Sequence, residues 1–326
     1  MKEIADLNAQ DRSELFNETA RRKGITSAAV EKDFWICWVL MKIYTHPRLS
    51  ALLRFKGGTS LSKCFGVIER FSEDIDLILD WTALTQTDPT QERSKTQQSK
   101  LNLEINSQAQ DFIKDELLPL IQEQVDGYCL AEIDESDPHT INVSYQPAFS
   151  NHYLRDQIRL EIGPLAEMVP FGHYSVKPYA AEEFPKLFKQ PSVELDAIKP
   201  ERTFWEKVTI LHAEAHRPDN KPQPSRYSRH YYDVYRMLGT EIEQAALANL
   251  GLLEDVVKFK KKFYYSAWAN YDLAVLPTIR LVPGDKVMAS LKADYAEMRE
   301  MIFGDYPSLD DIMSAIADFE QRLNQL

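Results

Sequence analysis

Cysteine is scarce in this chain. Cys37, Cys64 and Cys129 are the only three in 326 residues, an odd number, widely separated and without paired metal-ligand spacing. That argues against a disulfide framework or a cysteine-rich zinc site and suits a reducing compartment. Long apolar runs are also lacking: the most apolar stretch, Phe34 to Tyr44, is too short to cross a bilayer and carries Lys42. The opening Met-Lys-Glu-Ile-Ala-Asp has no basic start followed by an apolar run, so no signal peptide is expected. The expected location is the cytoplasm, with no membrane partner. Positive charge is in deficit as well. A formal net charge of −12 argues against a protein that coats nucleic acid over its whole surface.

Two local exceptions run against that deficit. Arg217, Lys221, Arg226 and Arg229, with His216 and His230, surround a Pro-rich segment opposed only by Asp219. Lys258, Lys260, Lys261 and Lys262 lead into Phe263, Tyr264 and Tyr265. Taken alone, they read as a solvated loop and a solvated helix face, although either offers a local grip on phosphates.

Hydrophobic residues make up 44% of the chain and charged residues 27%, enough for a packed core. The periodicities predict helices over Asp11 to Lys23 and from Ser27 through Met41, then a short strand at Leu52 to Phe55. Thr59 to Phe65 reads as helix, and Glu73 to Trp81 alternates like a strand with one buried face. The polar segment 82–100 reads as loop, and Leu101 to Val125 as one long helix. Strands are expected at Tyr128 to Ile133, Thr140 to Tyr145, Gln157 to Ile162, Tyr174 to Tyr179 and Val193 to Ile198. Pro200-Glu201 opens an amphipathic helix reaching His212, and the remainder reads as mostly helical. The fold class is therefore α/β (α+β): a helical lead-in, a mixed middle and a helical C-terminal half. The boundary is expected near 198, giving domains 1–198 and 199–326.

The chemistry concentrates between Phe55 and Asp80, F-K-G-G-T-S-L-S-K-C-F-G-V-I-E-R-F-S-E-D-I-D-L-I-L-D. On a strand, side chains two apart share a face, so Asp74 and Asp76 project together while Ile75, Leu77 and Leu79 enter the core. Two carboxylates so close repel unless a cation lies between them, and oxygen ligands of this kind suit Mg²⁺. Gly57-Gly58, directly after an apolar strand, lets backbone approach a ligand closely, and Thr59 and Ser60 follow where a helix begins. Backbone N–H groups and hydroxyls there suit phosphate oxygens, with Lys56 or Lys63 adding positive charge. A lone Gly-Gly or a lone D-x-D is weak; strand, Gly-Gly-Thr-Ser, short helix and D-x-D strand in order is much more specific.

This stretch resembles the motif of the nucleotidyltransferase (polymerase-β-like) superfamily. More closely, K-G-G-T-S-L-S-K with R-F-S-E-D-I-D-L resembles the AbiEii/AbiGii-type toxins, the enzymatic halves of toxin–antitoxin and abortive-infection pairs. Fifteen residues separate Gly58 from Asp74, slightly more than the usual superfamily spacer. The resemblance continues in E-R-T-F-W-E-K-V-T-I-L-H, which implies Lys207 as a second functional lysine. In R-H-Y-Y-D-V-Y-R it implies Asp233 as a further site residue, although Arg-His stands where the family has Arg-Asp. It also implies a third carboxylate on a neighbouring strand. Glu161 in R-L-E-I fits, with Asp196 in V-E-L-D-A-I as the alternative; an ordinary solvent-facing residue is an equally fair reading of Glu161.

The resemblance implies a nucleotidyltransferase-like sheet and Mg²⁺-dependent transfer of a nucleoside monophosphate from a triphosphate to an acceptor hydroxyl. The implied acceptor is the 3′ end of a tRNA, and the implied partner a cognate antitoxin. In this scheme Asp74 and Asp76 bind the metal, and Lys56, Gly57, Gly58, Thr59, Ser60 and Lys63 hold phosphates. Glu161, Lys207 and Asp233 complete the site, the last two from the C-terminal domain. Two alternatives keep the fold. One is a kinase-like phosphoryltransferase acting on protein or on itself, with Ser72 a candidate modified residue. The other is a nucleotide-binding protein that has lost activity.

Overall fold

A computed structural model describes residues 1–149 and 155–326. The chain divides into two units, the first holding residues 1–66, 71–93 and 100–198, the second 67–70, 94–99 and 199–326.

The first unit opens with α1 (Lys2–Ala5), α2 (Ala9–Lys23) and α3 (Ser27–Thr45). The Asn8 side chain accepts from Asp11 N–H at the start of α2, and Gly24 closes that helix in the left-handed region at φ 67°. Thr26, one residue before Ser27, caps α3 through the N–H of Ala29. Phe34, Trp35, Trp38 and their neighbours bury α3 almost all round, and it packs on the strands Gln157–Gly163 and Val193–Ile198. A helix buried on every side would ordinarily be apolar throughout, yet α3 contains Glu31, Lys32 and Asp33, each nearly inaccessible.

After α4 (Pro47–Leu52), the chain forms β1 (Leu53–Lys56), α5 (Gly57–Lys63) and β2 (Asp74–Leu79). Then come α6 (Lys95–Phe112), α7 (Leu118–Val125), β3 (Cys129–Ile133), β4 (Thr140–Tyr145), β5 (Gln157–Gly163), β6 (Phe171–Val176), α8 (Tyr179–Glu183) and β7 (Val193–Ile198). The seven strands form one mixed sheet in the order β3-β4-β5-β2-β1-β7-β6. β2 runs parallel to β5 and β1 parallel to β7, and the other neighbours are antiparallel. The mixed α/β class expected from the sequence is the class observed.

Three boundaries differ from the sequence reading. α6 begins at Lys95 rather than Leu101, because its first turns are polar and carry no apolar period. A five-residue π turn, Ile113–Leu117, separates α6 from α7. Pro119, at the start of α7, has no N–H to continue an α ladder, and the wider turn before it accommodates that gap. β6 spans Phe171–Val176 instead of 174–179. Gly172 weakens the strand signal at its start, yet β6 is an edge strand that begins directly after Pro170 and tolerates the glycine.

The second unit is helical: α9 (Pro200–Ala215), α10 (Ser228–Met237), α11 (Glu241–Ala248), α12 (Gly251–Phe263), α13 (Asp285–Glu297) and α14 (Leu309–Leu323). Pro200 at the first position of α9 loses no hydrogen bond there. α9 packs against α10, α11 and α12, and its core contains Phe204, Trp205, Tyr231, Tyr232 and Phe319, all essentially inaccessible.

Candidate active site

The site in the first unit is built on β1, β2 and β5. Along β2, Ile75, Leu77 and Leu79 are buried whereas Asp74 and Asp76 are only half-buried, so the two carboxylates share the face opposite the core. Cross-strand register adds their neighbours on that face. Asp76 pairs with Glu161 on one side and with Lys56 on the other, and Asp74 pairs with Arg159. A row Glu161–Asp76–Lys56 thus crosses three adjacent strands, each step about 5 Å at the backbone. Asp196, the alternative third carboxylate, lies on β7, is ion-paired with Arg54 and contacts His173 Nδ1.

Gly57 shows why this turn needs glycine. Its φ is +82°, and a Cβ built on it would fall inside the Asp76 carboxylate. The loop backbone and the acidic pair are in direct contact, and any side chain would displace Asp76. The hydroxyls of the turn face inward. Thr59 Oγ1 donates to the Asp74 carbonyl and Ser60 Oγ to the Gly57 carbonyl at 2.9 Å, with both residues buried. They lock the Gly-Gly turn to the first residue of the D-x-D strand. Lys63 is buried too: its Nζ bonds Asp33 Oδ1 at 2.6 Å and lies 4.0 Å from the Tyr179 ring centroid. Of the two lysines flanking the turn, Lys56 is the one in register with Asp76.

Several residues not singled out in the sequence support these groups. Lys32 of α3, 1% exposed, donates 2.8 Å bonds to Glu73 Oε2 and to the Arg155 carbonyl. Burial pulls its amine below the ordinary lysine value, and Glu73 and Asp74 oppose that pull. Its neighbour Asp33 holds Lys63, so one turn of α3 anchors both the end of α5 and the residue before Asp74. Arg159 bonds Asp134 at 2.6 Å and places guanidinium nitrogens 3.7 Å from Asp74 and 3.6 Å from Glu161. At those last two distances its action on the carboxylates is electrostatic. The signal for Lys32 and Asp33 was present in the sequence: charged residues on a helix with no polar face need buried partners.

No group of three or more histidine, cysteine, aspartate or glutamate side chains among the described residues lies close enough to form a metal centre alone. The donors nevertheless fit a hard divalent ion. Asp74 and Asp76 are oxygen donors on one face, and Mg²⁺ takes one or two protein carboxylates while substrate phosphates and water complete its shell.

In the second unit, Asp233 of α10 is fully buried and takes Arg70 on both oxygens, at 2.6 and 2.7 Å, and Lys207 Nζ at 2.8 Å. Burial alone would raise its pKa, but the two cations outweigh burial and hold it well below the usual carboxylate range. Arg70 also bridges to Ile302, and the Phe303 N–H donates to the Glu69 carbonyl. Residues 67–70 therefore belong to the helical unit, which accounts for part of the long spacer between Gly58 and Asp74.

The sequence model of the family described as "Nucleotidyl transferase AbiEii toxin, Type IV TA system" matches residues 38–325. The chain belongs to the AbiEii nucleotidyltransferase toxin family. It is accordingly a nucleotidyltransferase of the toxin–antitoxin class. Among solved structures, the MenT4 nucleotidyltransferase toxin of Mycobacterium tuberculosis is similar at TM-score 0.54 and 15% identity, over 95% of this chain and 90% of that one. This is a likeness of fold. JHP933 from Helicobacter pylori aligns at TM-score 0.45 and 12% identity, over 92% and 94% of the two chains. No curated protein sequence matches the chain. No helix among the described residues is long and apolar enough to cross a membrane.

Proposed function

We propose that this AbiEii-family enzyme moves a nucleoside monophosphate from a triphosphate to a hydroxyl at the 3′ end of a tRNA, using Mg²⁺ at Asp74 and Asp76. The observation that carries this reading is the packing of Gly57 against Asp76: the turn that would bind phosphates touches the carboxylate that would hold the metal. In the reaction the acceptor oxygen forms a bond to the α-phosphorus, the bond to the β-bridging oxygen breaks, and pyrophosphate departs. Mg²⁺ would supply charge neutralisation on the triphosphate. Lys56, in register with Asp76, adds positive charge for the β- and γ-phosphates, and the N–H groups of Gly58 and Thr59 bind their oxygens. Lys63 and the Thr59 and Ser60 hydroxyls hold the turn in shape. Glu161 receives the acceptor proton. Asp233 is a poor base, because two cations keep it ionised, and it serves to fix the Lys207 amine.

An antitoxin encoded with the enzyme is the expected partner, following the family description. The test supplies purified protein with Mg²⁺, total bacterial tRNA and each nucleoside triphosphate labelled at either the α or the γ phosphate. Label on RNA from the α position alone supports nucleotidyl transfer to RNA. Label from the γ position alone, on RNA or on protein, overturns it in favour of phosphoryl transfer.

A further inference from the structure

An enzyme with a net charge of −12 needs a local surface on which an RNA polyanion can settle. In the second unit, cations from both basic clusters of the sequence lie beside aromatic rings of one short stretch, residues 264–268. Tyr264 and Tyr265, directly after α12, are 51% and 60% exposed. Lys260 lies 5.4 Å from the Tyr264 ring centroid, and Lys95, from the separate segment 94–99, lies 4.8 Å from that of Tyr265. Three residues on, the Trp268 ring has Arg217 at 4.6 Å and Lys221 at 5.6 Å. Segments distant in sequence thus bring cations to the rings of residues 264–268. Arg217 is committed to Glu214, and Lys261 to Asp272. Lys95 and Lys221 have exposed side chains beside the rings.

Large exposed hydrophobic side chains are concentrated here as well. Of ten among the described residues, four lie between 264 and 275: Tyr264, Tyr265, Leu273 and Val275. An exposed apolar patch of this kind marks a contact surface, and its cationic rim selects the partner by charge. Lysines alone would suit any polyanion. Exposed rings beside them suit unpaired bases, which stack on aromatic faces while lysines hold the intervening phosphates.

We infer that the surface formed by Tyr264, Tyr265 and Trp268 with Lys95, Lys221 and Lys260 docks a single-stranded segment of RNA. The inference rests on the RNA-acceptor reading above and extends it by naming where the RNA is held. Tyr265 provides the most exposed stacking face, and Lys95 and Lys221 contribute phosphate contacts.

The test measures binding without catalysis. Full-length protein carrying Asp74→Ala/Asp76→Ala is titrated into fluorescently labelled tRNA by anisotropy, between 50 and 300 mM salt, alone and with added Lys95→Glu/Lys221→Glu or Tyr265→Ser. The expected result is about ten-fold weaker binding or more for each, with a salt slope shallower by about one to two for the double charge reversal. Tyr265→Trp, which keeps a stacking face, is expected to bind like the parent. Affinity within two-fold of the parent in the charge-reversal and Tyr265→Ser proteins overturns the inference, as does a parent that binds no RNA. An acidic protein that binds the parent through these residues while tRNA does not would reassign the surface to a protein partner and equally overturn it. Surface-dependent binding in a protein whose wild type transfers nothing to RNA leaves the docking surface standing and refutes the transfer reading. Transfer that persists unaltered when the same surface substitutions are made in the wild-type protein, with Asp74 and Asp76 intact, does the reverse.

Discussion

Gly57 connects backbone conformation to chemistry at a single residue. Alanine there must hold φ near +82° and place a methyl group where the Asp76 carboxylate lies. Such backbone strain costs about 1–2 kcal/mol, which a domain of this size tolerates. Displacing Asp76 is the larger loss, since a shift of about 1 Å in a reacting group costs about a hundred-fold in rate. Gly57→Ala is therefore expected to fold, with an ordinary circular dichroism spectrum, and to lose about a hundred-fold in kcat/KM. Retained activity would mean that contact between the turn and Asp76 is not needed. This residue was legible in the sequence because glycine after a strand and D-x-D are both local patterns. The partner of Lys32 was not, because Glu73 lies 41 positions away: a charge on an otherwise apolar helix signals that a partner is needed, not which residue supplies it.

Among the elements, α3 does more than fill the core. Its Lys32–Glu73 pair, at 1% and 4% side-chain exposure, sits directly before the D-x-D strand. Removing one member strands the other in the interior, at a cost of about 3–5 kcal/mol, whereas removing both leaves an apolar contact that is nearly neutral. Lys32→Met is expected to lower the urea midpoint sharply and Lys32→Met/Glu73→Leu to recover most of the loss; equal midpoints for the two would refute the pairing.

In α9, His212 acts through protonation. Its Nδ1 accepts from the Arg280 N–H, so in the neutral ring Nε2 carries the proton and donates to the Asn270 carbonyl. Burial depresses its pKa from 6.5 to about 4. The unfolded chain then binds more protons than the folded one between these values, so this group's stability contribution is complete above pH 6.5 and falls as pH drops toward 4. His230, also buried and beside Lys207 and Arg229, is shifted the same way. Thermal stability is expected to decline from pH 6.5 downward, and His212→Gln to start lower at pH 7 but decline less between pH 6.5 and 5. A variant as steep as wild type would assign the decline to other groups.

For the whole molecule, the mixed α/β class and the strands carrying the Gly-Gly and D-x-D motifs were readable from alternation and turn residues. Cross-strand register was not. Nothing local puts Glu161 beside Asp76 or sends Asp196 to Arg54, because those pairings each span more than eighty residues. Nor does any local signal assign residues 67–70 to the helical unit, where Arg70 meets Asp233. The apolar pattern thus sets which elements exist, while buried charge pairs distant in sequence determine how functional side chains are held.

If the in-register carboxylates on β2 and β5 carry the transfer, their charge is indispensable to it. The most direct measurement is initial-rate transfer of α-labelled nucleotide to tRNA, at saturating triphosphate and Mg²⁺, by wild type, Asp76→Asn and Glu161→Gln. Both substitutions keep side-chain size and remove charge. Asp76→Asn is expected to lose at least about a thousand-fold and Glu161→Gln about a hundred-fold in kcat, with folding unchanged. Transfer by Asp76→Asn at the wild-type rate would contradict it.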